Sequence, residues 1–333
     1  MSFTDLIDLA AERFGSAAIA ANDEFFAPKD ALLLHGSPVW IEGKYTEHGK
    51  WMDGWETRRR REDGHDWCII RLGAPGIVRG VVVDTSWFTG NFPPECSLDG
   101  CAMDGVASAQ QLTAESTAWR ELLPRSPLQG DRRNELPVRP GPRVTHLRLN
   151  IFPDGGVARL RAHGDVVPDA ARLATGGASV DLAAAENGGF VVFCSDLHYG
   201  HRQNLIMPGR STYMGDGWET QRRRGPGHEW SVIRLAAAGR IDRVEIDTDH
   251  YKGNAPGSFS LEGCDTGGSP LEPPTVDSQQ WTTILAPSPL QPHSRHSFDA
   301  QAAKGAPFSH VRLNIFPDGG VARLRLFGAP RSR

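Results

Sequence analysis

The sequence contains one long internal repeat, and this repeat constrains the fold more than any other feature of the chain. Residues 146–161 return at 310–325 with a single change, and residues 55–67 share nine of thirteen positions with 218–230. The spacing between the copies is far longer than the ~20–50 residues of solenoid and propeller repeats. The chain is therefore expected to be a tandem of two homologous modules.

The offset between the two copies changes along the chain. It is 173 residues for the opening segments, 163 in the middle and 164 at the end, so the first copy carries ten extra residues near 40–50. Proline, glycine, alanine and serine collect between 164 and 179, which indicates a linker. We therefore predict one module at residues 1–165 and a second at 175–333.

Local sequence patterns predict β-structure in both modules. The 37 glycines and 24 prolines punctuate runs of β-branched residues such as 77–84 and 240–247, which is typical of short strands joined by turns. Residues 145–161 predict a hairpin, and a short helix between Thr4 and Gly15 is expected to open the first module. The predicted fold class is all-β, with two tandem jelly-roll-like β-sandwich modules that each begin with a short helix.

Charge and cysteine usage narrow the classes of partner. The net charge is −4 and the basic run 58–61 is flanked by acidic residues, so no nucleic-acid partner is expected. No window approaches ~18 uninterrupted apolar residues, so no membrane span is expected. Five cysteines without a CxxC pair favour reduced thiols in the cytoplasm. No metal-ligand spacing occurs, so no cofactor is indicated, although spacing alone does not exclude a divalent metal.

Three polar side chains of the expected hairpin share one face. His146, Arg148 and Asn150 lie two residues apart from one another, as residues on one side of a strand do. Their counterparts in the second copy are His310, Arg312 and Asn314. Such a row is either the solvated face of a half-exposed sheet or a substrate site with a proton shuttle, a fork for a carboxylate and an amide that suits urea-like groups.

A second cluster of reactive side chains surrounds glycines in both copies. It comprises Glu56, His65, Arg59 and Trp55 in the first copy, and Glu219, His228, Arg222 and Trp218 in the second. Glutamate and histidine can divide acid and base roles, whereas the tryptophans also suit core packing. A third candidate is the loop at 84–91 and its counterpart at 247–254, which contains Lys252; ordinary strand-end turns are the alternative there.

These motifs resemble the allantoicase family over nearly the whole chain. The resemblance is carried by residues 49–59, 64–67, 88–91, 195–200 and 214–220, and by both Leu-Asn-Ile-Phe-Pro-Asp-Gly-Gly segments. It implies two jelly-roll modules, a homo-oligomer, and hydrolysis of allantoate to ureidoglycolate and urea. The copies differ where Gln221 stands at the position of Arg58, which raises the question of whether both modules work.

The implied reaction suggests a role for each candidate. Removal of urea from allantoate needs a clamp for the carboxylate, a proton for the departing nitrogen and an activated water. The arginines of both clusters would hold the carboxylate, the histidines of the second cluster would protonate the leaving group, and its glutamates would activate water. Asn150 or Asn314 would orient the ureido arm. The alternative function is a non-catalytic, sugar-type binding protein, because fold class does not fix function.

Overall fold

The computed structural model describes residues 2–103, 105–169, 173, 179–269, 281–300 and 307–331. The chain divides into two compact units, Met1–Val167 and Pro168–Arg333, which we call module 1 and module 2. Much of the predicted linker, residues 170–172 and 174–178, lies outside the described residues.

The described part of module 1 consists of short strands around one very long strand. The strands are β1 (Ile7–Asp8), β2 (Ala17–Ala21), β3 (Tyr45–Thr46), β4 (Gly49–Lys50), β5 (Trp55–Glu56), β6 (Asp66–Asp84), β7 (Glu95–Cys101), β8 (Arg120–Pro127), β9 (Arg133–Pro137), β10 (Val144–Phe152), β11 (Gly156–Val157) and β12 (Arg159–Val166). The helical segments are 3-10 turns at Phe3–Asp5, Glu12–Phe14 and Lys29–Leu33, and one α-helix, α1 (Ala109–Thr113).

Module 2 follows the same order of elements. The strands are β13 (Val180–Asp181), β14 (Phe190–Cys194), β15 (Trp218–Glu219), β16 (Glu229–Asp247), β17 (Ser258–Cys264), β18 (Thr282–Pro289), β19 (Arg295–Asp299), β20 (Phe308–Phe316), β21 (Gly320–Val321) and β22 (Arg323–Pro330). The 3-10 turns are Ala185–Asn187, Arg202–Ile206 and Met214–Asp216. The mostly-β fold in two tandem sandwich modules confirms the predicted fold class.

The long strand β6 organises module 1 because its two halves have different neighbours. Its first half pairs antiparallel with β2 and β10, and its second half pairs with β9 and β12. Strands β7 and β8 extend the first group beyond β10, while β1 extends the second beyond β12. In module 2, β16 has the equivalent partners. One ladder of strands thereby supplies both layers of the sandwich.

The predicted hairpin at 145–161 is wrong. Strands β10 and β12 pair with opposite halves of β6 and not with each other. Between them, β11 pairs with β5, so that the glycine-rich segment carries the chain from one layer to the other. Both strands run antiparallel to β6, so the segment between them connects two strands of the same sense along β6 and does not form the turn of a hairpin.

The N-terminal helix is also replaced by a different arrangement. Two 3-10 turns stand where one helix was predicted, because Ile7 pairs with Gly164 and draws the intervening residues into β1. The first turn begins at a Ser2 cap rather than at Thr4. Gly15 does end the second turn, with a φ of 91°, a conformation that favours glycine.

The ten extra residues of module 1 are confirmed as a local insertion. They carry the small hairpin β3–β4, in which Tyr45 pairs with Lys50 and Thr46 with Gly49. In module 2 the chain runs from the 3-10 turn Arg202–Ile206 to the turn Met214–Asp216, and the described residues between them form no strand. The segment 34–52 is therefore the main structural difference between the two copies of the fold.

Candidate functional site

The repeated motifs of module 1 meet around one glutamate. Strand β5 pairs with β11, which places Glu56 opposite Gly156. The loop after β6 then brings Asn91 to the same point, where its Nδ2 donates to Glu56 Oε1 at 2.6 Å. Three motifs that lie far apart in the sequence are therefore brought together around Glu56.

Glycines permit this close approach of backbones and side chains. A Cβ atom added to Gly156 would lie 1.9 Å from the buried ring of Phe88, and one added to Gly54 would lie 2.6 Å from the Val157 carbonyl oxygen. No side chain fits at such distances. The glycines of both motifs are thus explained by packing beneath Glu56.

A cavity of about 490 Å³ lies beside the Glu56–Asn91 pair. Its volume falls in the range of roughly 300–1,000 Å³ that is typical of small-molecule sites. The cavity is lined by Phe26, Trp40, Lys50, Met52, Glu56, Trp87, Thr89 and Asn91. It therefore combines an apolar wall with one acid, one ammonium group, one amide and one hydroxyl.

Burial raises the pKa of the Glu56 carboxyl above its ordinary value, and the hydrogen bond from Asn91 opposes this shift only in part. Glu56 is 9% exposed, so little water reaches the charged form. A carboxyl group with a raised pKa that faces a cavity is a candidate for proton transfer to a bound molecule.

Two tryptophans and a lysine form part of the cavity wall. The Lys50 ammonium lies 4.0 Å from the centroid of the Trp40 ring, which is itself 6.0 Å from the ring of Trp87. The Trp87 indole donates from Nε1 to the Pro38 carbonyl at 3.1 Å. Trp40 and Lys50 come from the insertion, so this wall belongs to module 1 only.

Module 2 keeps the central pair but surrounds it differently. Asn254 Nδ2 donates to Glu219 Oε1, and the other carboxylate oxygen, Oε2, is buried without a hydrogen-bond partner among the described residues. The Met214 sulfur lies 3.7 Å from Asn254 Nδ2, and the hydroxyl of Tyr251 donates to the Met214 carbonyl at 2.8 Å. Met214 therefore lies against the Glu219–Asn254 pair, whereas the equivalent Glu56–Asn91 pair of module 1 adjoins an open cavity.

The predicted role of the two tryptophans as substrate contacts is wrong. Trp55 and Trp218 are both completely buried. Their indole Nε1 groups donate to backbone carbonyls of Asp23 at 2.8 Å and Asp196 at 3.0 Å. They pack beneath the glutamates that follow them, in agreement with the packing alternative.

The His-Arg-Asn row of module 1 lies on the outer face of its sheet and does not line the Glu56 cavity. Arg148 donates to Asp99 at 2.9 Å and stacks on the Trp119 ring, with its guanidinium carbon 4.9 Å from the ring centroid. Asn150 donates to the same carboxylate at 2.9 Å. In module 2, Arg312 and Asn314 make the equivalent contacts to Glu262, and Arg312 stacks on Trp281.

The row histidines are buried and remain neutral. Desolvation, aided by the nearby Arg71, lowers the pKa of His146 to about 4, and desolvation with Arg234 does the same for His310. The Thr145 hydroxyl lies 2.8 Å from His146 Nδ1. A histidine with this pKa favours the neutral imidazole over the imidazolium that acts as an acid near pH 7, so a proton-shuttle role finds no support in this geometry.

The other predicted residues lie at the edge of these groups. His65 packs on Phe152 with ring centroids 4.7 Å apart, and His228 packs on Phe316 while its Nε2 lies 3.2 Å from Asn314 Oδ1. The histidines therefore adjoin the outer-face row and are not among the residues lining the Glu56 cavity. Arg59, Arg222 and Lys252 are exposed.

Several residues of the cavity were missed by the sequence analysis. Asn91 lies in a loop that was flagged, but strand-end turns explained it equally well. Trp40 and Lys50 lie in the insertion, whose chemistry is not repeated and therefore carried no signal. Arg159, in the repeated segment, was also not identified. Its Nη2 donates to Asp53 Oδ2 at 2.8 Å in a buried ion pair, and Asp53 directly follows Met52 of the cavity lining.

The described residues offer neither a metal-binding cluster nor a membrane-spanning helix. They contain no group of three or more His, Cys, Asp or Glu side chains that could hold a metal ion. They contain no helix long and apolar enough to cross a membrane. All five cysteines are free thiols.

Comparison with known proteins places this geometry in one family. The family model described as the allantoicase repeat matches residues 7–167 and 180–331. A probable allantoicase of Pseudomonas aeruginosa is 48% identical over 330 residues, which cover 99% of this chain and 97% of that protein. The allantoicase of Dictyostelium discoideum is 46% identical and covers 97% of this chain and 87% of its own length. The crystal structure of Saccharomyces cerevisiae allantoicase matches with a TM-score of 0.80 and 32% identity, over 97% of this chain and 92% of the other.

Proposed function

The chain belongs to the allantoicase family, and we therefore propose that it hydrolyses allantoate to ureidoglycolate and urea. The observation that carries the proposal is the match of both modules, in order and over nearly the full length, to proteins named allantoicase. The alternative, a non-catalytic sugar-binding protein, has no comparable support from full-length relatives.

We assign the reaction to the cavity beside Glu56 and Asn91 in module 1. The reaction breaks the bond between the central carbon of allantoate and one ureido nitrogen. Water supplies a hydroxyl group to the carbon and a proton to the nitrogen, so ureidoglycolate and urea account for every atom. The protein must therefore deliver one proton to the leaving nitrogen and remove one from water.

Glu56 can perform both transfers in sequence. In its protonated form it hands a proton to the departing nitrogen, and the carboxylate that results accepts a proton from the attacking water. Burial supports this role because it raises the pKa of Glu56 and so favours the protonated form that the first transfer needs. Asn91 Nδ2 donates to Glu56 Oε1, so the amide fixes the carboxyl orientation and leaves its own carbonyl oxygen to accept from a ureido N–H.

The assignment changes the roles expected from the sequence. Glu56 keeps its acid–base role, whereas the proton donor becomes the same carboxyl group rather than His65, which packs on Phe152. Arg148 and Asn150 hold Asp99 on the outer face of the sheet. We propose that these three side chains support the fold and do not contact the substrate.

A direct assay tests the proposed reaction. The purified protein is expected to release urea and ureidoglycolate from allantoate in equal amounts, with rates that increase in proportion to enzyme concentration. A folded preparation, verified by circular dichroism, that releases no urea from allantoate would disprove the proposed function. Binding of simple sugars by the same preparation would then favour the alternative.

We also propose that the protein acts in the cytoplasm as a homo-oligomer. Its five free thiols support a reducing compartment. The oligomer rests on the family resemblance, and light scattering coupled to size-exclusion chromatography measures its mass.

A further inference from the structure

We propose that Lys50 binds the carboxylate of the substrate and thereby gives the cavity its preference for anionic ureides. This inference rests on the proposed function, because it concerns how the same cavity selects and orients allantoate. It concerns a residue of the β3–β4 hairpin of module 1, and the described residues of module 2 between Arg202–Ile206 and Met214–Asp216 form no such hairpin.

The insertion holds Lys50 at a defined place on the cavity wall. Lys50 pairs with Tyr45 in the β3–β4 hairpin, and the hairpin turn is closed by the Thr46 hydroxyl, which donates to the Gly49 carbonyl at 3.3 Å. The ring of His48 at the turn packs on Phe25 with centroids 4.2 Å apart. The hairpin is thus attached to the body of module 1 at its tip as well as at its base.

The ammonium group of Lys50 has no acidic partner. Within the described part of the chain no carboxylate lies at ion-pair distance from it. Its neighbour is the Trp40 ring, at 4.0 Å from the ring centroid, and such a cation–π contact holds the side chain while leaving its N–H donors free. By contrast, the nearby Lys29 is paired with Glu24 at 3.3 Å.

Glu56 and Lys50 place an acidic and a basic side chain in the same cavity. Allantoate is an anion with two neutral ureido arms. Its carboxylate would be attracted by the charged Lys50, so the favoured orientation places the carboxylate beside Lys50 and a ureido nitrogen beside Glu56 and Asn91. That orientation is the one in which the leaving nitrogen can receive a proton. Lys50 therefore acts mainly by selecting and binding the anion.

Module 2 lacks this group. Counted back from the shared Asp-Gly-Trp-Glu-Thr segment, Tyr213 occupies the position of Lys50, and Met214 follows it against the Asn254 amide. A phenol does not supply the positive charge that a substrate carboxylate requires. The absence of a lysine at this position therefore agrees with the assignment of turnover to module 1.

The insertion provides its own matched control. Lys44 also stacks on a tryptophan, with its ammonium 3.7 Å from the Trp51 ring centroid, but it is not among the residues lining the cavity. Lys50→Met and Lys44→Met thus remove the same charge and a similar contact from the same segment. Lys50→Arg retains the charge and serves as the rescue variant.

The experiment measures KM and kcat for allantoate by following the formation of ureidoglycolate. In the same assay it measures the inhibition constant of the neutral carboxamide of allantoate. Loss of a charge-assisted contact should raise KM for allantoate by about 10- to 100-fold in Lys50→Met, with kcat changed much less. The inhibition constant of the carboxamide should change less than threefold, because the amide carries no charge for Lys50 to bind. Lys44→Met should resemble the wild type, and Lys50→Arg should recover most of the affinity.

Two outcomes overturn the inference. The first is an equal rise in KM for Lys50→Met and Lys44→Met. The second is an equal loss of allantoate and carboxamide binding in Lys50→Met, which would indicate a purely structural role. Both outcomes leave wild-type turnover of allantoate intact. Failure of the proposed function would instead appear as a wild-type protein that releases no urea.

Discussion

The two modules share a glutamate–asparagine pair but differ in what surrounds it. In module 1 the pair of Glu56 and Asn91 opens into a cavity lined with aromatic side chains and a lysine. In module 2 the pair of Glu219 and Asn254 has the Met214 side chain beside it. The shared pair was visible in the sequence as a repeat, whereas the cavity wall comes from the segment that is not repeated.

This difference helps to distinguish residues that support the fold from residues that line the cavity. A residue kept in both copies can be required for folding alone, as the buried Trp55 and Trp218 show. The insertion, by contrast, has no repeated chemistry, and its Trp40 packs against the small core cluster of Met52, Phe88 and Ala158. The insertion places Trp40 and Lys50 on the cavity wall. We therefore expect a functional asymmetry between the two copies.

The largest expected effect comes from replacing the two central glutamates. Glu56→Gln should lower kcat by about 10²–10⁴, the usual scale for loss of a general acid or base. The same change at Glu219 should leave kcat within about twofold of the wild type, since this carboxylate lies in the module without the Lys50 wall. Steady-state urea release measures both.

Thermal melting provides the control for this pair. Because burial raises the pKa of Glu56, its ionisation opposes folding, so the stability that the protonated form provides is lost as pH rises through the folded-state pKa. Glu56→Gln should therefore melt no lower than the wild type at pH 7. Equal loss of kcat in both variants would mean that the two modules contribute equally, and an active Glu56→Gln would remove this residue from the mechanism.

The next largest effect concerns two equivalent buried ion pairs. Asp53 pairs with Arg159 and accepts from the Val39 amide at 2.8 Å, and Asp216 pairs with Arg323 and accepts from the Thr212 amide at 3.2 Å. Asp53→Asn and Asp216→Asn should each lower the free energy of unfolding by about 3 kcal/mol, because each leaves a buried guanidinium without its carboxylate partner.

Only the first of these changes should also alter kinetics. Val39 precedes Trp40 in the insertion, so weakening its contact with Asp53 should displace the cavity wall and raise KM several-fold. Chemical denaturation and urea release, measured on both variants, separate the two effects. A rise in KM for Asp216→Asn of the same size would show that the asymmetry between the modules is not a property of the insertion.

Much of the fold could be predicted from the sequence because the repeat fixes the module and the turn residues fix the class. The pairing of strands could not. The segment 153–156 has the composition of a hairpin turn, yet β10 and β12 pair with opposite halves of β6. Local composition indicates that a strand ends there, but the partner and direction of the next strand depend on a 19-residue strand elsewhere in the chain.

The candidate site was predictable only in part, for a related reason. Glu56 was identified because its motif is repeated and contains an acid among glycines. Lys50 and Trp40 were not, because a single lysine or tryptophan in a loop has many structural explanations. The row of His146, Arg148 and Asn150 was correctly placed on one face, but an acid from the neighbouring strand β7, Asp99, satisfies the arginine and the asparagine.

The smallest expected effect tests whether this row is scaffold in both modules. The folded state lowers the pKa of His146 and of His310 to about 4 from an ordinary value of 6.5. The unfolded chain therefore binds more protons between these values, and the stability due to the neutral histidines is complete above pH 6.5 and is lost as pH falls toward 4. His146→Gln and His310→Gln should each make the decline in stability over this range shallower by about 1 kcal/mol per pH unit.

Because the outer-face row is present in both copies and apart from the cavity residues, the two variants should behave alike, and KM for allantoate at pH 7 should not change in either. Denaturation at pH 7, 5.5 and 4.5, with urea release at pH 7, provides the comparison. An unchanged pH slope would contradict the neutral buried state of these histidines. A rise in KM for His146→Gln alone would place the row of module 1 at the substrate, and the cavity beside Glu56 would then not be the complete site.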